Sequence, residues 1–85
     1  MKQSIVAIFD RKAEAFLKPV VVDSPAAAVR AWGDAINEPS SDFGKHPEDY
    51  SMWSIGTYCS STGTFQPQEN GNVELAKALA LKNSD

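Results

Sequence analysis

Ile5-Val6-Ala7-Ile8-Phe9, closed by Asp10, constrains this chain more than any other stretch. Side chains alternate along an extended segment, so Ile5, Ala7 and Phe9 point one way and Val6 and Ile8 the other. Both faces are apolar, which predicts an inner strand covered on two sides. An inner strand requires a sheet. The 85 residues leave room for one core and no second domain. A domain this small buries a modest fraction of its surface and leaves one sheet face uncovered, so a homodimer is expected.

The remaining elements follow from local chemistry. Arg11-Lys12-Ala13-Glu14 is polar enough for a turn but lacks an Asn-Gly signal, and a short helical turn competes with it. Ala15 to Val22 is predicted as a second strand, with Pro19 at an edge or bulge because it has no N–H to give. Ser24 can cap a helix whose first position suits Pro25. Val29, Trp32 and Ile36 then recur at spacings of three and four, with Arg30, Asp34 and Asn37 opposite, which predicts an amphipathic helix. Gly33 inside it costs roughly 1 kcal/mol relative to alanine, pointing to close packing against a neighbour. Glu38-Pro39 ends the helix.

Beyond a connector, Tyr50 to Tyr58 reads as a strand with Trp53, Ile55 and Thr57 on one face and Tyr50, Met52 and Tyr58 on the other. Ser60-Ser61-Thr62-Gly63 is a turn, and Thr64-Phe65-Gln66 returns until Pro67. Asn72 can cap a last helix, Val73 to Lys82, with Leu75 and Leu79 as an apolar pair. The predicted order is ββαββα. This is an α+β fold, an antiparallel four-stranded sheet with two helices packed on one face. One domain spans 1–85, as two ββα-like halves, 1–38 and 48–83, joined by a structured loop, 39–47. The halves are alike in pattern, without a visible sequence repeat.

Charge and chemistry narrow the function. The net charge is −3, which argues against a polycationic nucleic-acid binder. The charges are uneven: residues 1–30 hold five basic and three acidic groups, and residues 31–85 three basic and eight acidic. A positive face on the first hairpin is therefore compatible with an acidic total. Cys59 is the single cysteine, so neither an internal disulfide nor a thiolate metal cluster is expected. The opening residues meet a charge after only five apolar positions, too short a run for a signal peptide or a membrane span, so a cytosolic protein is expected.

His46, with Asp42, Glu48 and Asp49 nearby, would offer one imidazole and several carboxylates to a metal. A zinc site usually needs further His or Cys at recognisable spacing, so a structured loop outranks the metal and no cofactor is expected. Cys59 and His46 can be written into a triad, but any chain with one histidine permits that, and the chain is expected not to be an enzyme. Sheets that bind single strands combine aromatics for base stacking with cations along the phosphates. Arg11, Lys12, Phe16, Lys18, Arg30 and Tyr58 are the candidates for that role. The competing view is that these aromatics serve the core and these cations are ordinary solvated charges.

Asp10-Arg11-Lys12-Ala13-Glu14-Ala15-Phe16 and Phe43-x-Lys45-His46-Pro47-Glu48-Asp49-Tyr50 together resemble the small nonstructural protein of gokushoviruses. These are tailless single-stranded-DNA phages of the microvirus family. Trp53, Ile55, Gly56, Thr62-Gly63 and Phe65 keep that family's spacing, and Arg30-Ala31 and Ala35-Ile36-Asn37 match its helix. Gly33, where a larger apolar residue is expected, and Cys59, where a carboxylate is common, depart from it. The resemblance implies a non-virion protein of the bacterial host cytoplasm. It would act in synthesis of the single-stranded genome or in the switch from duplex replication to packaging. Its partners would be single-stranded DNA, or the phage replication initiator or a host protein. No catalytic residue is carried over. The loop of Lys45, His46, Glu48, Asp49 and Tyr50 reads equally as an interaction site and as the joint between the halves.

Overall fold

The computed structural model describes residues 2–82; the expected end of the second half, at residue 83, lies outside them. The chain runs β1 (Lys2–Asp10), β2 (Ala15–Phe16), β3 (Val20–Val22), α1 (Pro25–Ile36), α2 (Asp42–Lys45), a 3-10 turn (Pro47–Asp49), β4 (Tyr50–Cys59), β5 (Thr64–Pro67), β6 (Val73–Lys77) and α3 (Ala78–Leu81). β1 and β4 pair antiparallel along their whole length, from Lys2↔Cys59 to Asp10↔Tyr50. β2 and β3 both line the outer edge of β1, and β5 and β6 the outer edge of β4.

The fold is therefore α+β with an antiparallel sheet, but of six strands rather than the expected four. Each outer strand is broken once. On the first edge Leu17-Lys18-Pro19 interrupts the pairing, where proline has no N–H for the ladder. On the second the break follows Pro67, and Asn70 and Gly71 turn the chain with φ of 61° and 92°.

The larger correction concerns the expected helix Val73 to Lys82. Its first half is β6, and only Ala78–Leu81 is helical. Without β6, the Ser51–Ser54 edge of β4 would present unpaired backbone groups, and pairing it outweighs the high helix propensity of Glu74, Leu75, Ala76 and Lys77. Leu75 consequently packs toward the core while Leu79 is 60% exposed, so the two form no helical pair.

The two hairpins are built alike. A four-residue turn follows each long strand, and its last residue takes positive φ, 56° at Glu14 and 71° at Gly63. The first turn forms without an Asn-Gly pair because the Asp10 carboxylate accepts the backbone N–H of Lys12 at 3.0 Å and of Ala13 at 3.4 Å.

Val6 of β1 and Met52 of β4 form one buried cluster with Trp32 and Ile36 of α1 and Ala78 of α3. Helix α1 begins as its sequence directs, with the Ser24 hydroxyl accepting the Ala27 N–H at 3.2 Å and Pro25 in the first turn. Asn37, expected on the outer side, instead donates from its amide to the carbonyls of Gly33 and Leu81, which ties α1 to α3. Gly33 does face α3, but a Cβ there would meet Leu81 Cβ at 3.9 Å, an ordinary contact. Gly33→Ala is therefore expected to stabilise the fold by about 1 kcal/mol through helix propensity, read as a higher urea midpoint.

Candidate nucleic-acid interface

Residues paired across strands share a face, so the pairing defines the side of the sheet away from the core cluster. Gln3, Ile5, Ala7 and Phe9 of β1 stand there with Phe16 of β2 and Val21 of β3. From the other half come Ser51, Trp53 and Tyr58 of β4 and Phe65 of β5. Phe9 and Phe16 meet edge to face at 4.9 Å between ring centroids, and Phe16 meets Trp53 at 6.5 Å. The Trp53 indole N–H donates to the Ser51 hydroxyl at 2.8 Å, which fixes the ring. Tyr58 and Phe65 form a second aromatic pair at 5.0 Å, at the opposite end of this face. Phe16 is 42% and Phe65 67% exposed.

A bulge explains why Tyr58 is on this side. The β1–β4 register passes from Ile5↔Gly56 to Val6↔Ser54, leaving Ile55 as an extra residue. One extra residue reverses the alternation of everything beyond it. Tyr58 thus shares a face with Trp53, whereas Tyr50 and Met52 lie on the core side. The expectation that Tyr50, Met52 and Tyr58 share one face is overturned.

The predicted cations separate in the same way. Arg11 lines a cleft of about 290 Å³ with Phe9, Asp49, Tyr50, Lys77 and Leu79, beside the first aromatic group. Lys12 is exposed in the adjoining turn. Lys77, which pairs with Glu74 at 2.6 Å, was not among the expected residues. Lys18 does not share a face with Phe16. The break after β2 leaves it lining a cavity with Val6, Ile8 and Phe43 on the core side. Arg30 lies on α1, beside Val29 and Asp34 in the helix layer, and is likewise apart from the aromatics.

Phe9, Trp53, Phe65 and Lys77 join the site beyond the expected residues. One signal was in the chain. Phe9 and Phe16, and Tyr58 and Phe65, are each aromatic pairs seven positions apart that flank a four-residue turn. That spacing places both rings on one face at the tip of a hairpin.

The histidine-bearing loop turns several groups inward. Phe43 bridges Trp32 at 5.8 Å and Tyr50 at 4.8 Å, both edge to face, linking α1, α2 and β4. Asp49 is buried, and its carboxylate accepts from the Arg11 guanidinium at 3.3 Å while its backbone carbonyl accepts the Arg11 N–H at 2.8 Å. Burial first, and then the charges of Asp10, Asp42 and Asp49, raise the Tyr50 phenol above its ordinary pKa. Lys45, His46 and Glu48 point to solvent.

His46, Glu48 and Asp49 bring one ligand atom each to within 4.8 Å of one another, and these are the described residues that could hold a cation. A cation there would compete with Arg11 for the Asp49 carboxylate. Cys59 is at the far end of β4 from this loop, about 30 Å away at 3.4 Å per residue, so no Cys–His dyad forms. Its thiol is brought down to about 7, by a hydrogen bond from the Thr62 side chain first and then by the backbone of Thr62 and Ser61. Among the described residues, no helix is long and apolar enough to cross a membrane.

The model of one protein family, described as the phage ORF5 protein, matches residues 3–81. No curated protein and no solved structure matches.

Proposed function

The chain belongs to the phage ORF5 protein family, and from that premise we propose that it acts, without catalysis, in replication of a single-stranded phage genome by holding single-stranded DNA on the helix-free face of its sheet. It is read as a gokushovirus-type nonstructural protein, working in the host cytoplasm during strand synthesis or the switch to packaging. One observation carries this reading: the Phe9–Phe16–Trp53 group, with an exposed ring at its edge, stands beside Arg11, Lys12 and Lys77. Rings of that kind take bases in stacking whatever the sequence, while nearby cations take phosphates. Asp49 and Glu74 hold Arg11 and Lys77 in place and temper their charge, so modest affinity that falls with rising salt follows.

The test is anisotropy of a labelled oligothymidylate at several salt concentrations. Three phosphate contacts give a log–log salt slope of about −2 for a single strand. Phe16→Ala is expected to weaken binding by about 1–3 kcal/mol, the worth of one stacked base. Lys12→Glu should weaken it several-fold, and Arg30→Glu, in the helix layer, should leave it unchanged. Absence of binding at low salt, or equal sensitivity to Lys12→Glu and Arg30→Glu, would remove this assignment.

A further inference from the structure

We infer that a single DNA strand bridges two separate stacking platforms on this face, Phe9–Phe16–Trp53 at one end and Tyr58–Phe65 at the other. The inference rests on the DNA-binding reading above and adds the second platform, the path and the shortest strand that engages both.

The geometry follows from the pairing. Tyr58 stands opposite Gln3, six positions along β1 from Phe9. At 3.4 Å per residue the separation along the strands is about 20 Å. Phe16 and Phe65 lie on the two outer edges, in the order β2-β1-β4-β5, which adds three strand spacings, about 14 Å across. The diagonal from ring to ring is then about 25 Å. The floor between the platforms is low: Ile5 and Ala7 are 9% and 3% exposed, and Gly56, also buried, has no side chain. Each platform ends in an accessible ring, and between them the β1 and β4 floor is small or sunken, with exposed Val21 rising at its β3 edge. A polymer of flat bases fits this relief.

The two ends are not equivalent electrostatically. Arg11, Lys12 and Lys77 all belong to the first. Gln3, beside the second, is occupied by Asp23, accepting its amide N–H at 2.6 Å. The first platform thus combines stacking with phosphate contacts, and the second contributes stacking. A strand spaced at about 3.4 Å per nucleotide, as in one strand of a duplex, needs about eight nucleotides or more to reach both. A trinucleotide reaches one.

The test compares dT3, as unlabelled competitor, with fluorescein-labelled dT10, on the full chain and on Phe65→Ala. Phe65 is mostly exposed, so its truncation is expected to spare the fold, and circular dichroism checks that. Two linked contacts should raise affinity for dT10 over dT3 by about a hundredfold. A strand engaging one platform gains only its roughly eight alternative registers. Phe65→Ala should reduce the length advantage to that statistical value, leaving dT3 affinity and the salt slope unchanged. Tyr58→Ala should do the same.

The inference is overturned if the wild-type length advantage is already statistical, or if Phe65→Ala weakens dT3 as much as dT10. It is overturned too if Phe65→Ala changes only sedimentation, which would assign that end of the face to a second copy of the chain. Failure of every oligonucleotide to bind is a separate outcome, and removes the DNA-binding reading itself.

Discussion

Gly44→Ala is expected to destabilise the protein by about 3 kcal/mol, near the upper end of the range for forcing extra atoms into a packed site. A Cβ on Gly44 would collide with the carbonyl oxygen of Ile36, with the carbonyl carbon and Lys82 Nζ both at 3.3 Å. The obstructing atom is backbone at the C-terminal end of α1, so it cannot rotate aside. Helix α2 would have to lift, carrying Phe43 away from Trp32 and Tyr50. For a chain of this length total stability is of order 0.1 kcal/mol per residue, so the loss is a large part of the whole. Urea unfolding should show a much lower midpoint with an unchanged slope. Gly63→Ala is the control: it meets nothing within 4 Å and bears only the strain of φ +71°, about 1–2 kcal/mol. Equal midpoints for Gly44→Ala and the wild type would mean that α2 does not rest on α1 as described.

Trp32 yields the second large effect, in two directions. It is 4% exposed at the centre of the core cluster and meets Phe43 edge to face. Trp32→Ala should cost about 3–5 kcal/mol, the usual penalty for emptying so large a buried volume. Yet the indole Nε1 is buried without a hydrogen-bond partner, and an orphaned donor is a standing penalty. Trp32→Phe removes that donor and keeps an aromatic edge for Phe43. It is expected to be close to neutral, well separated from alanine in the same thermal melt. A phenylalanine variant as unstable as the alanine one would show that the indole nitrogen contributes rather than costs.

These two positions belong to the joint between the histidine-bearing loop and α1, and they bear on the loop's two readings. Phe43, Gly44, Asp49 and Tyr50 are held by packing and by Arg11, whereas Lys45, His46 and Glu48 face solvent. The inward residues do structural work, and the outward ones remain free to serve a partner.

The chain by itself determined a good deal. The two-faced apolar run at Ile5–Phe9 demanded an inner strand, Ser24-Pro25 started α1, the spacing of Trp32 and Ile36 set its buried side, and Gly63 marked the second hairpin turn. Each is a local effect: a cap, a period, a dihedral preference. Tertiary structure decided the rest. Val73–Lys77 became a strand because an open edge of β4 was there to be paired, which no local propensity expresses. The Ile55 bulge moved Tyr58 to the face of Trp53, and a break at Pro19 sent Lys18 to the side opposite Phe16. In a sheet a single inserted residue exchanges the two faces, so which aromatics and cations meet is settled by register. Register depends on the partner strand.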